Sequence, residues 1–529
     1  MSPSDPPAAD VPEKRIALVL PGGGARGAYE VGALSVLLPE LERRGERPTI
    51  FCGTSVGAIN AAYLGSVAHL PADEQVRQGL EHWHAISKKD IIRSVVGPGL
   101  PRTVFRLIGD MLEVPGVRLA GLMDPTPLRR TLDKIVDWDD LAKNGRDGAY
   151  DAVCLVATSL ARSGPVAWVQ GRAETPASKI GADLKYVRVD ELDAQHVRAS
   201  AAIPLLFAPV RVDHPEEQSD YYVDGATRLN TPIAPALALG ADKVIVIGFE
   251  PLGSREPREP GVKPLVPRIA DVISNIVDGL LVDQVNDDLH QMVTLNEMIS
   301  APRSPAARAS RKIRSARGAP AYRKIEYALV SPRRRGELGE LADEVFDRRY
   351  RGWRGLLSPD LPLFSRLLGG GRTPARGELL SFLLFDDLHF DLLIEAGKRD
   401  AHDWLDRHPD FWCSEAGHDF DFDTGRVPAT EDPTARGRRS SDPGPGDGDG
   451  GETDPSGRRW RRRSTDVADD GAEDPPRRER RRAADADPRA DDAPAKRSGG
   501  RRAADPVADD APAKRSRGRG GKDDASVAV

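Results

Sequence analysis

Two apolar runs near the N-terminus each break into a glycine turn and then into a helical pattern, and this pairing restricts the possible folds more than any other feature. Arg15 to Leu20 ends in Pro21-Gly22-Gly23-Gly24-Ala25-Arg26-Gly27, after which Val31, Leu34, Leu37, Leu38 and Leu41 share one helical face. Ile50-Phe51-Cys52 leads into Gly53-Thr54-Ser55-Val56-Gly57 and leaves through Ala58 to Leu64 as a second helix. Strand, loop, helix and strand in that order predict an α/β fold with a mostly parallel sheet and flanking helices. Lys243 to Gly248 and Ile325 to Val330 repeat the buried-strand pattern, and Ala152 to Thr158 adds another strand with Pro165 to Val169 as its hairpin partner.

The second turn places Ser55 between a strand and a helix, the context of a G-x-S-x-G nucleophile elbow. Gly53 and Gly57 leave room for backbone to approach backbone on either side of the serine. At the head of the helix the free N–H groups of the first turn, beginning with Val56, point at negative charge developing on an attacked carbonyl.

The first turn is ambiguous. Gly22, Gly24 and Gly27 satisfy G-x-G-x-x-G, and a glycine loop before a helix suits an anion. A dinucleotide fold would next place a carboxylate at the end of the second strand to hold a ribose, but Ser55 stands there. The loop therefore reads as an oxyanion hole made by Gly22, Gly23 and Gly24, with Arg26 adding fixed charge or a loop-holding donor. A dinucleotide-binding oxidoreductase stays as the alternative, as does a weakly catalytic scaffold whose charged tail recruits partners.

Further along, Gln75 to Ala120 reads as a helical insertion carrying Phe105, Leu107, Met111, Leu112 and Val114, and Asp124-Pro125-Thr126-Pro127 starts another helix. Val197 to Ile203 is a small-residue helix stopped by Pro204, suited to close packing beneath a site. Tyr221-Tyr222-Val223 is a short strand ending in Asp224-Gly225-Ala226, where Gly225 permits a sharp turn that leaves a carboxylate at a strand end; a lone Asp-Gly is also an ordinary turn. Leu265 to Ile299 carries one long apolar stripe, and Leu338 to Arg351 and Glu378 to Leu405 read as helices covering the sheet.

Composition divides the chain of 529 residues. Beyond about Phe422 it is Arg, Asp, Ala, Pro and Gly with Trp460 as almost its only bulky apolar group, so this tail is expected to be disordered. The expected domains are a flexible N-terminus over 1–14, a catalytic domain over 15–250, a helical extension with one further strand over 251–425, and a low-complexity tail over 426–529. A net charge of -6 on 76 basic and 82 acidic residues gives no field for nucleic acid. Cys52, Cys154 and Cys413 are too few and too scattered for a disulfide framework or a zinc site, which suits a reducing, cytoplasmic compartment. No secretory signal and no membrane-spanning run is read, and no metal or cofactor is called for.

Leu18 to Leu34 with its Gly-Gly-Gly-Ala-Arg-Gly, the Gly53 to Gly57 elbow, Ala199 to Pro209 and Asp224-Gly225-Ala226, in that order, resemble the patatin-like phospholipase family. The resemblance covers about Arg15 to Gly248; Leu265 to Ile299 and Leu379 to Ala401 are similar to larger bacterial members, and it stops beyond about Thr430. It implies a fold related to the α/β hydrolases, hydrolysis of fatty acyl esters at a lipid or membrane surface with peripheral contact left open, and a Ser-Asp dyad. Ser55 is then the nucleophile and Asp224 the group that activates it, with Gly22, Gly23, Gly24 and Arg26 on the oxyanion side. Pro21 departs from the small or polar residues common ahead of the glycines. An aspartate serves as base near neutral pH only if partly desolvated, with Ser55 as its main donor. None of the ten histidines, His82, His84, His196 and His290 among them, has a turn motif at a strand end that would make it the base of a triad.

Overall fold

The computed structural model describes residues 14–92, 123–176, 184–204, 206–251, 284–300, 304–316, 321–350 and 374–414. The expectations for the N-terminus, for Phe105 to Val114, for 265–283 and for the tail lie outside these residues.

Among the described residues nine strands form one sheet. Its centre is five parallel strands in the order β3 (Ala152–Ser159), β2 (Pro48–Thr54), β1 (Ile16–Leu20), β8 (Lys243–Ile247) and β9 (Glu326–Val330). These are the continuous apolar runs of the sequence, and each is buried along nearly its whole length because both faces are covered. Beyond β3, β4 (Gly164–Gly171) runs antiparallel as the expected hairpin partner, and β5 (Lys185–Arg188) follows parallel to β4. Two short strands, β6 (Val210–Val212) and β7 (Asp220–Asp224), pair with each other, and β7 also pairs antiparallel with the end of β3. Neither β5 nor β6 is legible in the sequence, since each has only three or four residues.

The helix α1 (Gly27–Arg43) joins β1 to β2, and α2 (Val56–Ser66) leaves β2 and packs on β1, β2 and β3. The helix α8 (Ile233–Ala238) precedes β8 and packs on β1, β2 and β8. The chain between α2 and β3 supplies α3 (Ala72–Ala85), a single turn α4 (Lys88–Ile91), α5 (Thr126–Ile135) and α6 (Trp138–Asp147). The sequence reading lacks α6, which starts where the Asp137 carboxylate accepts from the Asp140 amide and stops at Gly148 with φ of 81°. A short helix α7 (Ala194–Ser200) lies below the C-terminal ends of β3 and β7.

After β8 the described chain continues with α9 (Gln284–Ser300), α10 (Pro305–Ala316), β9, α11 (Glu337–Arg349), α12 (Pro374–Leu383) and α13 (Asp387–Arg407). Glu378 to Leu405 thus forms two helices, because Asp386 caps the second by accepting from the Leu388 amide. The Tyr29 hydroxyl donates to Asp400 at 2.9 Å, so α1 and α13 are held by a buried polar contact as well as by apolar packing.

Candidate active site

The order of β1 between β2 and β8 creates a crevice at the carboxyl ends of these strands, where the chain leaves β1 toward one side of the sheet and later returns to the other. The glycine loop after β1 and Ser55 after β2 both open at this place. Register explains how Asp224 joins them. Pairing of β2 with β3 ends at Thr54 opposite Val156, where β2 turns away into α2. The vacated edge of β3 is taken by β7, with Asp224 opposite Ala157, the next residue. Ser55 and Asp224 are therefore successive neighbours along one edge, although 169 residues separate them, and the Ser55 hydroxyl donates to Asp224 Oδ2 at 2.6 Å.

Ser55 has φ of 54° and ψ of -120°, a left-handed conformation that a serine rarely adopts and that the surrounding structure must hold in place. Its amide donates to Ser200 Oγ at 2.9 Å, and that hydroxyl donates to the Val156 carbonyl at 2.5 Å. Small residues in α7 let this strut reach beneath the turn; the sequence marks the small residues but carries no signal for Ser200 itself. A Cβ on Gly53 would strike the Gly57 carbonyl, and one on Gly57 would strike the carbonyl of Leu20 at the end of β1, so both glycines serve close approach. Gly225 does the same: its φ is not in the left-handed region, and a Cβ there would meet the Val156 carbonyl. The chain does turn here, into the 3-10 turn Gly225–Thr227, and the glycine serves close packing against β3 rather than a left-handed φ.

Asp224 is 1% exposed. Burial pushes its carboxyl up to about 7, against the opposing effect of the hydrogen bonds from Ser55 and from the Ala226 amide, which reaches Oδ1 at 2.8 Å. A carboxylate with this affinity is matched to taking a proton near neutral pH.

The glycine loop departs from expectation in two respects. The Gly22 amide donates to Asn230 Oδ1 at 2.9 Å, so it is already engaged and is not a donor for an oxyanion. Asn230, which the sequence reading does not single out, thereby ties the loop to the chain after Asp224. Gly23, Gly24 and Val56 keep amides with no acceptor among the described residues, and Gly24, Ser55 and Val56 line the same cavity. Arg26 does not line the cavity that Gly24, Ser55 and Val56 share. It is fully buried and donates from Nε to Ser381 Oγ at 2.8 Å and from Nη2 to Glu378, as a hydrogen-bond donor turned toward α12.

Beside Ser55 a mainly apolar cavity of about 730 Å³, its open mouth included, runs between α2, α3, α4, α5 and the chain that follows α7. Ile59, Trp83, Ile86, Leu132, Ile203, Phe207 and Phe385 contribute to its wall. The sequence reading treats α3 as an insertion, yet it supplies Gly79, His82 and Trp83 to this wall. Trp83 Nε1 donates to Asn60 Oδ1 at 3.2 Å, and Asn60 Nδ2 donates to Glu30 Oε2 at 2.6 Å, which links these three side chains under the wall. His82 is the one histidine on the wall among the described residues; its ring stands edge-on to Tyr63, and burial holds its pKa below the ordinary value. No histidine of the described residues hydrogen-bonds Ser55 or Asp224: His196 meets Asp193 and the His214 carbonyl, and His389 meets the Leu384 carbonyl. Cys52 and Cys154, far apart in sequence, are register partners on β2 and β3 and are both free thiols.

This arrangement places an alcohol against a buried carboxylate, with unengaged amides on the adjoining loop and helix and an apolar cavity alongside. Residues 18–237 match the family model described as patatin-like phospholipase. No curated protein matches the chain. Among solved structures it is similar to VipD from Legionella pneumophila, at 13% identity over 75% of this chain and 67% of that one with a TM-score of 0.24. It is similar to human GIVD cytosolic phospholipase A2, in a complex with methyl gamma-linolenyl fluorophosphonate, at 13% identity over 46% of this chain and 45% of that one with a TM-score of 0.24. A third likeness is to the heterodimeric ExoU-SpcU complex from the type III secretion system of Pseudomonas aeruginosa, at 19% identity, 75% and 72% coverage and a TM-score of 0.20. The chain spans under half the length of the human protein.

Proposed function

We propose, from the premise that residues 18–237 are a patatin-like phospholipase domain, that the protein hydrolyses fatty acyl esters of lipids through a dyad of Ser55 and Asp224. The observation that carries this reading is the 2.6 Å hydrogen bond from a strained, elbow-borne serine to a buried carboxylate. As Ser55 Oγ bonds to the ester carbon, its proton passes to Asp224 and the carbonyl electron pair moves onto oxygen. The amides of Gly23, Gly24 and Val56 are the donors for that oxyanion. Collapse of the tetrahedral species breaks the bond to the alcohol, which leaves with the proton held by Asp224. Water then attacks the acyl-serine by the same route and returns Ser55.

The apolar wall beside Ser55 supports a hydrocarbon chain as the acyl part, because it offers burial and few polar partners. No helix among the described residues is long and apolar enough to cross a membrane, and the encounter proposed is peripheral, at a lipid surface. Three free thiols support the expectation of a reducing, cytoplasmic compartment.

Ser55→Ala tests the reading. Wild-type protein is expected to hydrolyse p-nitrophenyl acyl esters and to take a covalent fluorophosphonate label on Ser55. The variant is expected to lose the label and to lose about 10⁶ in kcat, the scale on which a serine hydrolase depends on its nucleophile. Retention of more than about a tenth of wild-type turnover would remove Ser55 from the mechanism.

A further inference from the structure

The oxyanion chemistry leaves one feature unexplained, the burial of a full positive charge directly behind the glycine loop. Arg26 has no exposed surface, and the groups that hold its guanidinium all come from outside residues 18–237. Glu378 on α12 accepts from Nη2, its own carbonyl lies 3.4 Å from the same nitrogen, and Ser381 accepts from Nε. The guanidinium carbon lies 4.1 Å from the ring centre of Phe382 and 5.9 Å from that of Phe249. The Arg26 amide donates to the Gly23 carbonyl at 3.1 Å, which links this anchored residue to the loop itself.

The back of the loop is shaped by the same helix. Gly24 has φ of 58°, and a Cβ there would collide with the Phe382 carbonyl, while one on Gly23 would run into the Phe249 ring. A second carboxylate, Glu250 in the chain just after β8, lies 3.3 Å from Arg335. Burial and the neighbouring Glu378 push it up to about 7, against the pull of Arg26 and Arg335. The charge behind the loop is thus set by four side chains, of which only Arg26 belongs to the matched domain.

We propose that Glu378, with Ser381 and Phe382, is a positioning residue for the oxyanion loop: α12 grips Arg26 and through it fixes the directions of the Gly23 and Gly24 amides. This rests on the acyl-hydrolase reading above. A planar guanidinium held at two nitrogens and against an aromatic face has little freedom to turn, and its backbone is part of the 3-10 turn that follows Gly23. Amides aimed at an oxyanion act only when held to a few tenths of an ångström, and misplacement by about 1 Å is enough to lower a rate about 10²-fold. The helix therefore contributes to the chemistry without touching substrate.

The test uses the full chain with p-nitrophenyl butyrate, counting active sites by fluorophosphonate titration so that turnover is expressed per reactive Ser55. Glu378→Ala is expected to lower kcat per titrated site about 10- to 100-fold with KM within about twofold, and to slow fluorophosphonate labelling by a similar factor, because the phosphonyl oxygen uses the same amides. The apparent pKa of the rising limb of kcat/KM should stay where wild type has it, since Asp224 is untouched. Glu378→Gln, which retains an acceptor for Nη2, should recover most of the loss. Ser381→Ala removes the acceptor of Nε together with the hydroxyl's own bond to the Glu378 carbonyl, and serves where Glu378→Ala fails to fold; a fall of about 3- to 10-fold in kcat is expected. Unchanged kcat per titrated site in Glu378→Ala, or in Ser381→Ala where the former does not fold, overturns the inference, as does a loss that appears in KM alone. Absence of any label on wild-type Ser55 overturns the hydrolase reading and this inference with it, whereas a labelled wild type with unaffected variants overturns this inference alone.

Discussion

Asp224→Asn separates the chemistry of the carboxylate from its cost to the fold. Asp224 uses one oxygen for Ser55 and the other for the Ala226 amide. Asparagine has one carbonyl oxygen; kept on Ala226, it turns its NH₂ toward Ser55 Oγ, where it cannot accept the hydroxyl proton. Loss of a general base lowers kcat by roughly 10² to 10⁴. Stability should move the other way. Holding a carboxyl at about 7 against an ordinary 3.8 makes its ionised form about 4 kcal/mol less favourable in the folded protein than in the unfolded chain. Between about pH 4 and pH 7 the folded protein keeps a proton that the unfolded chain has released, so this group makes wild-type stability fall as pH rises through that window. Asparagine has no such proton, and the variant gains on wild type over the same window. The gain reaches at most about 4 kcal/mol above pH 7, less about 1 kcal/mol for the lost hydrogen bond, and is absent at pH 4. Urea unfolding of both proteins at pH 4, 6 and 8, beside kcat for p-nitrophenyl butyrate, measures both effects. Wild-type kcat/KM should rise with an apparent pKa of about 7. A variant with more than a tenth of wild-type kcat, or a stability difference that ignores pH, would refute the reasoning.

Gly57→Ala places a methyl against the Leu20 carbonyl where backbone cannot yield, and should destabilise the protein by about 3 kcal/mol or more in the same urea assay. Asn230→Ala releases the Gly22 amide and loosens the loop from its other side; kcat is expected to fall about 10-fold at constant KM. His82→Ala should leave kcat for a short ester within about threefold of wild type and shift the preferred acyl chain, since His82 lines the cavity without reaching the dyad; a loss matching Asp224→Asn would make it the base of a triad. Deleting residues from Asp432 onward removes a stretch with almost no core-forming side chains and should leave soluble-ester turnover unchanged, so a collapse on truncation would make the tail structural.

The parallel core was legible because each strand of β3-β2-β1-β8-β9 is buried on both faces and so reads as an unbroken apolar run. Ser55 was legible because its elbow is local: strand, two glycines and helix lie within about fifteen residues, and their sterics need no partner from elsewhere. Asp224 could be read as a carboxylate at a strand end, but its role came from resemblance. Only the handover of the β3 edge from β2 at Val156 to β7 at Ala157 sets it against Ser55. The engagement of Gly22 by Asn230, the strut from Ser200 and the grip of α12 on Arg26 were beyond the sequence for the same reason. Each joins residues more than a hundred positions apart through at most a few hydrogen bonds, and isolated polar side chains leave no periodic trace. Hydrophobic pattern and local turn sterics determine which elements form and where the elbow serine stands, while the donors and acceptors around it are chosen by strand order and register, which exist only once the sheet is assembled.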